Sequence, residues 1–125
     1  MSKILVIEDD EVMREMLRLR LVQAGYGVIL AHDAAVAAHA VTQQRPDLVL
    51  ADINMPYLSG LQLIEAMKSD PATAHIPVIF VTGNPAAEAE AMRAGGAGFL
   101  TKPVRDDDLL AMVARTLPHP MSRTP

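Results

Sequence analysis

The sequence predicts a single α/β domain built on a parallel, doubly wound sheet. Three observations carry this. Ile4 to Ile7, Leu48 to Leu50 and Val78 to Val81 are short, unbroken apolar runs rich in Val, Ile and Leu, the pattern of strands covered on both faces. Stretches with apolar residues at helical spacing lie between them. At 125 residues the chain has room for about one domain. Strand followed by helix, five times over, implies parallel strands joined by right-handed crossovers.

The first strand, Ile4 to Ile7, runs into Glu8-Asp9-Asp10. Met13, Met16, Leu17, Leu21 and Ala24 then recur at helical spacing and stop at Gly25, as expected of an amphipathic helix lying on a sheet. Gly27 to Ala31 is a weaker strand. The alanine-dense stretch Ala34 to Ala40 has high helix propensity and ends near Pro46. After the Leu48 to Leu50 strand, Ser59 and Gln62 form a capping box that opens a helix through Ala66 and Met67. Asn84-Pro85, just past the Val78 to Val81 strand, pairs an N-cap with a proline at the first helical position. It starts a helix expected to run to Gly95. Gly98 to Thr101 is the fifth strand, and Leu109, Met112, Val113 and Leu117 mark the last helix before Pro118. The domain is expected to span residues 1–117, with 118–125 a flexible C-terminal tail.

Composition narrows the function. Half the residues are hydrophobic, so a real core can form. The net charge is −4 and only Lys3, Lys68 and Lys102 are lysines, which argues against a polyanion-binding surface and against nucleic acid as partner. With no cysteine there is no disulfide, thiolate metal site or thiol nucleophile. No apolar stretch approaches the roughly 18 residues of a membrane span, and the start does not resemble a signal peptide. A cytoplasmic address and no membrane partner are expected.

In open α/β sheets ligands sit at the carboxyl ends of the strands. Those ends here carry Glu8-Asp9-Asp10, Asp52, Thr82-Gly83 and Lys102-Pro103. Glu8-Asp9-Asp10 is either a solvated turn, with Asp10 or a neighbour capping the next helix, or part of a cation site. Clustered carboxylates repel one another unless a cation compensates, and hard oxygen donors without His or Cys favour Mg²⁺. Asp52 is either a strand-end turn residue or a nucleophile able to take a phosphoryl group as an acyl phosphate. Taken singly, Thr82 reads as a strand residue, Lys102 as a surface lysine and Phe99 as core. In combination, an ammonium, a hydroxyl and a metal are what phosphoryl transfer needs around its equatorial oxygens.

Four segments together resemble the receiver domains of bacterial two-component response regulators, including the single-domain chemotaxis regulator. They are Ile4-Leu5-Val6-Ile7-Glu8-Asp9-Asp10, Pro46 through Pro56 with Gly60, Pro77 through Gly83, and Gly98-Phe99-Leu100-Thr101-Lys102-Pro103. The resemblance covers about Lys3 to Leu117. It implies a flavodoxin-like (βα)5 sandwich with strand order 2-1-3-4-5. It further implies Asp52 as phosphoacceptor, and Mg²⁺, for which Mn²⁺ can substitute, held by Asp9, Asp52 and the Asn54 carbonyl, with Glu8 reaching it through water. Thr82 becomes the switch hydroxyl, Phe99 the switch aromatic and Lys102 the partner of the phosphoryl group, with a cis bond before Pro103. Asn54 and Asn84 stand at positions that tune dephosphorylation.

The implied partners are a histidine kinase or histidine phosphotransferase, and a downstream protein on the face of the fourth helix, fifth strand and fifth helix. The chain is then a switch rather than an enzyme, catalysing at most its own phosphorylation and dephosphorylation. The initiating methionine and short tail suggest a free-standing regulator; the alternative is the receiver of a longer regulator or hybrid kinase. A Mg²⁺-dependent phosphohydrolase would want an acid where Asn54 stands, and a flavodoxin would want a hydroxyl-rich loop where Glu8-Asp9-Asp10 stands. One departure stands out: Gly95-Gly96-Ala97-Gly98 is richer in glycine than the family's usual approach to its last strand, which should loosen that loop.

Overall fold

A computed structural model of the chain describes residues 2–53 and 60–117, and in it each apolar run becomes a strand. These are β1 (Lys3–Ile7), β2 (Gly27–Ala31), β3 (Leu48–Asp52), β4 (Val78–Thr82) and β5 (Gly98–Thr101). All pair in parallel, in the order β2-β1-β3-β4-β5. Every residue of the central strands β3 and β4 is buried, which is why their sequences are apolar without alternation as far as Ala51 and Val81. β3 and β4 each extend past the run predicted for them, to Asp52 and Thr82. The ladder therefore holds both polar residues: Ile53 N donates to Val81 O at 3.3 Å and Lys102 N to Thr82 O at 2.8 Å.

Alternate strand residues feed two separate cores, as the two-residue period of a strand requires. Leu5, Ile7, Val49, Ala51, Val78 and Phe80 point to one face. There they meet α2 (Ala34–Gln44), α3 (Gly60–Ser69) and α4 (Glu88–Arg93) through Ala37, Val41, Leu63, Ile64 and Ala91. Ile4, Val6, Leu48, Leu50, Ile79 and Val81 point to the other. They meet α1 (Glu11–Gln23) and α5 (Asp106–Thr116) through Leu17, Leu21, Leu109 and Val113.

The helix starts follow their capping residues. Asp10 accepts from Val12 N at 3.0 Å and Asp33 from Val36 N at 2.9 Å, satisfying amides that would otherwise lack partners. Past the end of α1, Gly25 takes φ 98°, a left-handed stop open to glycine at little cost. Ser59 of the predicted capping box and the residues of the predicted tail, 118–125, lie outside the described residues.

The Asn84-Pro85 helix departs from expectation. Asn84 does cap it, accepting from Ala86 N at 3.1 Å. However, Pro85–Ala87 forms a 3₁₀ turn closed by Ala87 N to Asn84 O at 3.1 Å, and α4 proper is only six residues long. The i+3 bond winds the first turn more tightly than an α-helix, so one predicted helix becomes a tight turn plus a short one.

Candidate functional site

The carboxyl ends of β1, β3, β4 and β5 bring the predicted residues to one edge of the sheet. Glu8 follows β1 directly and is buried at 1% exposure, Asp52 closes β3 at 6%, and Asp9 is exposed. One carboxylate oxygen from each of the three lies within 4.8 Å of the others. Lys102, just past β5, points among them: its Nζ is 2.7 Å from Glu8 Oε1 and donates to Asp52 Oδ2 at 3.1 Å. The Lys102–Pro103 bond is cis, as the resemblance implies.

Burial governs the electrostatics. It pushes the Glu8 carboxyl up to about 7, against the Lys102 hydrogen bond and the Asp10 N–H, which favour its charged form. The nearby Asp52 charge adds to the rise. Burial would by itself lower the Lys102 ammonium. Its hydrogen bonds to Glu8 and Asp52, and their charges, outweigh that and hold it above the ordinary lysine value. One charged lysine thus faces three carboxylates, and the cluster keeps an excess of negative charge. Three hard oxygen donors with no His or Cys among them suit a small divalent cation such as Mg²⁺, which needs only one or two carboxylates and retains several waters.

Asp10 falls on the structural side of its two sequence readings: it caps α1 and is not one of the three clustered carboxylates. Thr82 is buried, one residue beyond Val81, the register partner of Asp52. Its Oγ1 accepts from Asn84 N at 3.3 Å, which leaves the hydroxyl proton to donate. Phe99 is half-buried on the face covered by α2, α3 and α4. Asn54 lies outside the described residues. The glycine-rich approach to β5 is not simply slack. A Cβ at Gly96 would fall 2.9 Å from Ala91 O, and one at Gly98 would fall 2.6 Å from Met112 Sδ. Both positions are closely packed, so glycine there admits neighbours as well as freeing the backbone.

Arg14 is a site neighbour the sequence reading missed. Its guanidinium donates to the Glu8 carbonyl at 2.9 Å, tying the first turn of α1 to the end of β1. The available signal was its spacing from the Asp10 cap, because helical side chains lean toward the helix N-terminus.

Comparison with known proteins accords with this geometry. Residues 4–114 match the sequence profile of the response regulator receiver domain. The chain is 39% identical over 113 residues to the transcriptional regulatory protein FixJ of Bradyrhizobium diazoefficiens, covering 88% of this chain and 54% of FixJ. Other curated relatives are matched over a quarter to about half of their length. Among solved structures, the chemotaxis response regulator CheY4 of Vibrio cholerae superposes with TM-score 0.88 at 29% identity, covering 94% of this chain and 99% of CheY4. The receiver domain of the sensor histidine kinase PA1611 of Pseudomonas aeruginosa was solved with a magnesium ion coordinated in its active-site cleft. It superposes with TM-score 0.85 at 26% identity over 92% of this chain and 96% of that one.

Proposed function

The chain belongs to the response regulator receiver domains, and on that premise we propose that it accepts a phosphoryl group on Asp52 from a histidine kinase or histidine phosphotransferase and, once phosphorylated, switches a protein-binding face. Receiver domains are phosphoacceptor switches of two-component signalling that bind Mg²⁺ in an acidic pocket. The observation that carries the assignment to Asp52 is the pairing of this buried strand-end carboxylate with Lys102, inside a cluster that also holds Glu8 and Asp9.

In the transfer, a carboxylate oxygen of Asp52 forms the new P–O bond as the P–N bond of the donor phosphohistidine breaks; the imidazole leaves with the electron pair. Lys102 is already beside Asp52 and faces the incoming oxygens with a fixed positive charge. Asp9, Asp52 and the Asn54 carbonyl would hold Mg²⁺, with Glu8 through water. The ion would supply neutralisation of charge on the transferring group. Thr82 then donates its hydroxyl to a phosphoryl oxygen, and Phe99 packs into the space released, a shift between pre-existing populations. The face that changes is that of α4, β5 and α5, where the downstream protein would bind. Asn54 and Asn84, two residues after Asp52 and Thr82 in the sequence, would tune hydrolysis of the acyl phosphate.

Incubation with Mg²⁺ and acetyl phosphate should add one phosphoryl group, lost in Asp52→Asn. Labelling that survives this substitution sinks the assignment. A free-standing regulator matches the 99% coverage of CheY4, and the receiver of a larger protein matches equally the 96% coverage of the PA1611 kinase receiver. The receiver of a longer regulator or hybrid kinase is supported by the partial coverage of the curated relatives. The mass of the native protein in its own cells separates the two. Among the described residues no helix is long and apolar enough to cross a membrane; cytoplasmic residence, without nucleic acid as partner, is part of the proposal.

A further inference from the structure

The two phenylalanines of the chain, Phe80 and Phe99, are register partners on adjacent strands and lie on the same face of the sheet. Phe80 is completely buried, and its other register partner is Ala51, the residue before Asp52. Its ring reaches between two glycines that are far apart in sequence. One ring atom, Cε1, lies so close to Gly60 that a Cβ there would fall 3.2 Å away. The opposite edge faces Gly96, where a Cβ would fall 3.0 Å from Cδ2 and 3.1 Å from Cε2.

Each glycine is itself pressed against main chain. At Gly60, the first residue of α3, a Cβ would fall 2.7 Å from the carbonyl oxygen of Asp52, and its N–H donates to Ile53 O at 2.9 Å. At Gly96, in the turn between α4 and β5, a Cβ would fall 2.9 Å from Ala91 O. One rigid ring thus stands between the backbone around Asp52 and the α4–β5 turn, beside Phe99. Close-packed interiors transmit displacement because neighbours have no free volume in which to absorb it.

We propose that Phe80 is a positioning residue for Asp52: wedged between Gly60 and Gly96, it couples the backbone of the phosphoacceptor to the α4–β5 turn. The coupling is reciprocal. A change at Asp52 is felt in the turn, and the packing of the turn sets how well Asp52 is placed to react. The proposal rests on Asp52 being the phosphoacceptor and goes beyond the Thr82 and Phe99 exchange by adding a second path from the site to the same surface.

The test uses the full chain, acetyl phosphate and saturating Mg²⁺. Two variants are compared with the wild type: Phe80→Leu, which withdraws the ring, and Gly96→Ala, which adds a methyl against both the ring and the Ala91 carbonyl. Two quantities are read, the rate of phosphorylation by intact mass and the change in amide hydrogen exchange over residues 88–101 on phosphorylation. Phe80→Leu should slow phosphorylation by roughly tenfold, since a misplacement of about 1 Å can cost on the order of a hundredfold. It should also abolish most of the exchange response. Phe80→Leu introduces no clash, so it keeps the test open should Gly96→Ala fail to fold. A Phe80→Leu protein that is merely less stable, with a wild-type rate or a wild-type exchange response, overturns the proposal. Failure of the wild type to be labelled overturns the phosphoacceptor reading itself, and this proposal with it.

Discussion

Replacing Glu8 by glutamine should reshape the pH dependence of stability. In the folded protein the Glu8 carboxyl titrates at about 7, against an ordinary value of 4.5, because it is buried. Between these values the native state holds a proton that the unfolded chain has released, so stability falls as pH rises. The contribution is fully present below pH 4.5 and is lost as pH climbs through about 7. At ~1.36 kcal/mol per unit, the rise from 4.5 to about 7 amounts to a loss of about 3 kcal/mol at most. The assay is urea unfolding of metal-stripped protein from pH 4.5 to 8. The stability of the wild type, relative to that of Glu8→Gln, should decline across this range by an amount of that order. Added Mg²⁺ should recover stability at pH 7.5 more than at pH 5, since a bound cation favours the ionised cluster. Parallel wild-type and Glu8→Gln profiles would refute the claim that buried Glu8 is the titrating group.

Lys102→Met should slow phosphorylation by acetyl phosphate on the order of a hundredfold, the cost of losing one fixed charge donor. It should also raise the Glu8 carboxyl further, since the Lys102 hydrogen bond now lowers it; carboxyl NMR titration checks this. Thr82→Ala should still be labelled at Asp52 but show a weaker hydrogen-exchange response over β5, which intact mass and exchange measured on one sample would reveal. Leu50→Ala, on a fully covered central strand, should cost about 2–5 kcal/mol. That loss should appear as a lower urea midpoint with an unchanged slope.

Sequence and structure agree most closely on the strands. Gly27–Ala31 and Gly98–Thr101 form as expected, and β1, β3 and β4 differ from their apolar runs only at their ends. Burial on both faces writes itself into composition, so such runs are visible without coordinates. Strand ends are harder to read: Asp52 and Thr82 belong to the ladder although they are polar, because backbone pairing is indifferent to side-chain character. In the α4 region the cap and the starting proline form as expected and only the first turn differs, because a cap followed by proline signals where a helix starts, not whether its first turn is α or 3₁₀.

The amino-acid sequence by itself determined the layered α/β class, the order of the elements and the types of residue available at the strand ends. All of these depend on local periodicity and on covalent order. Only the tertiary structure decided which atoms meet. Nothing in the neighbourhood of Glu8 announces that it is among the most deeply buried polar groups described, paired with Lys102 from the far end of the chain. Likewise Phe80 reads as one more apolar residue in a strand until Gly60 and Gly96 are seen on either side of its ring. Desolvation, ion pairing and close packing depend on distances between segments remote in sequence, and only the folded sheet sets those distances.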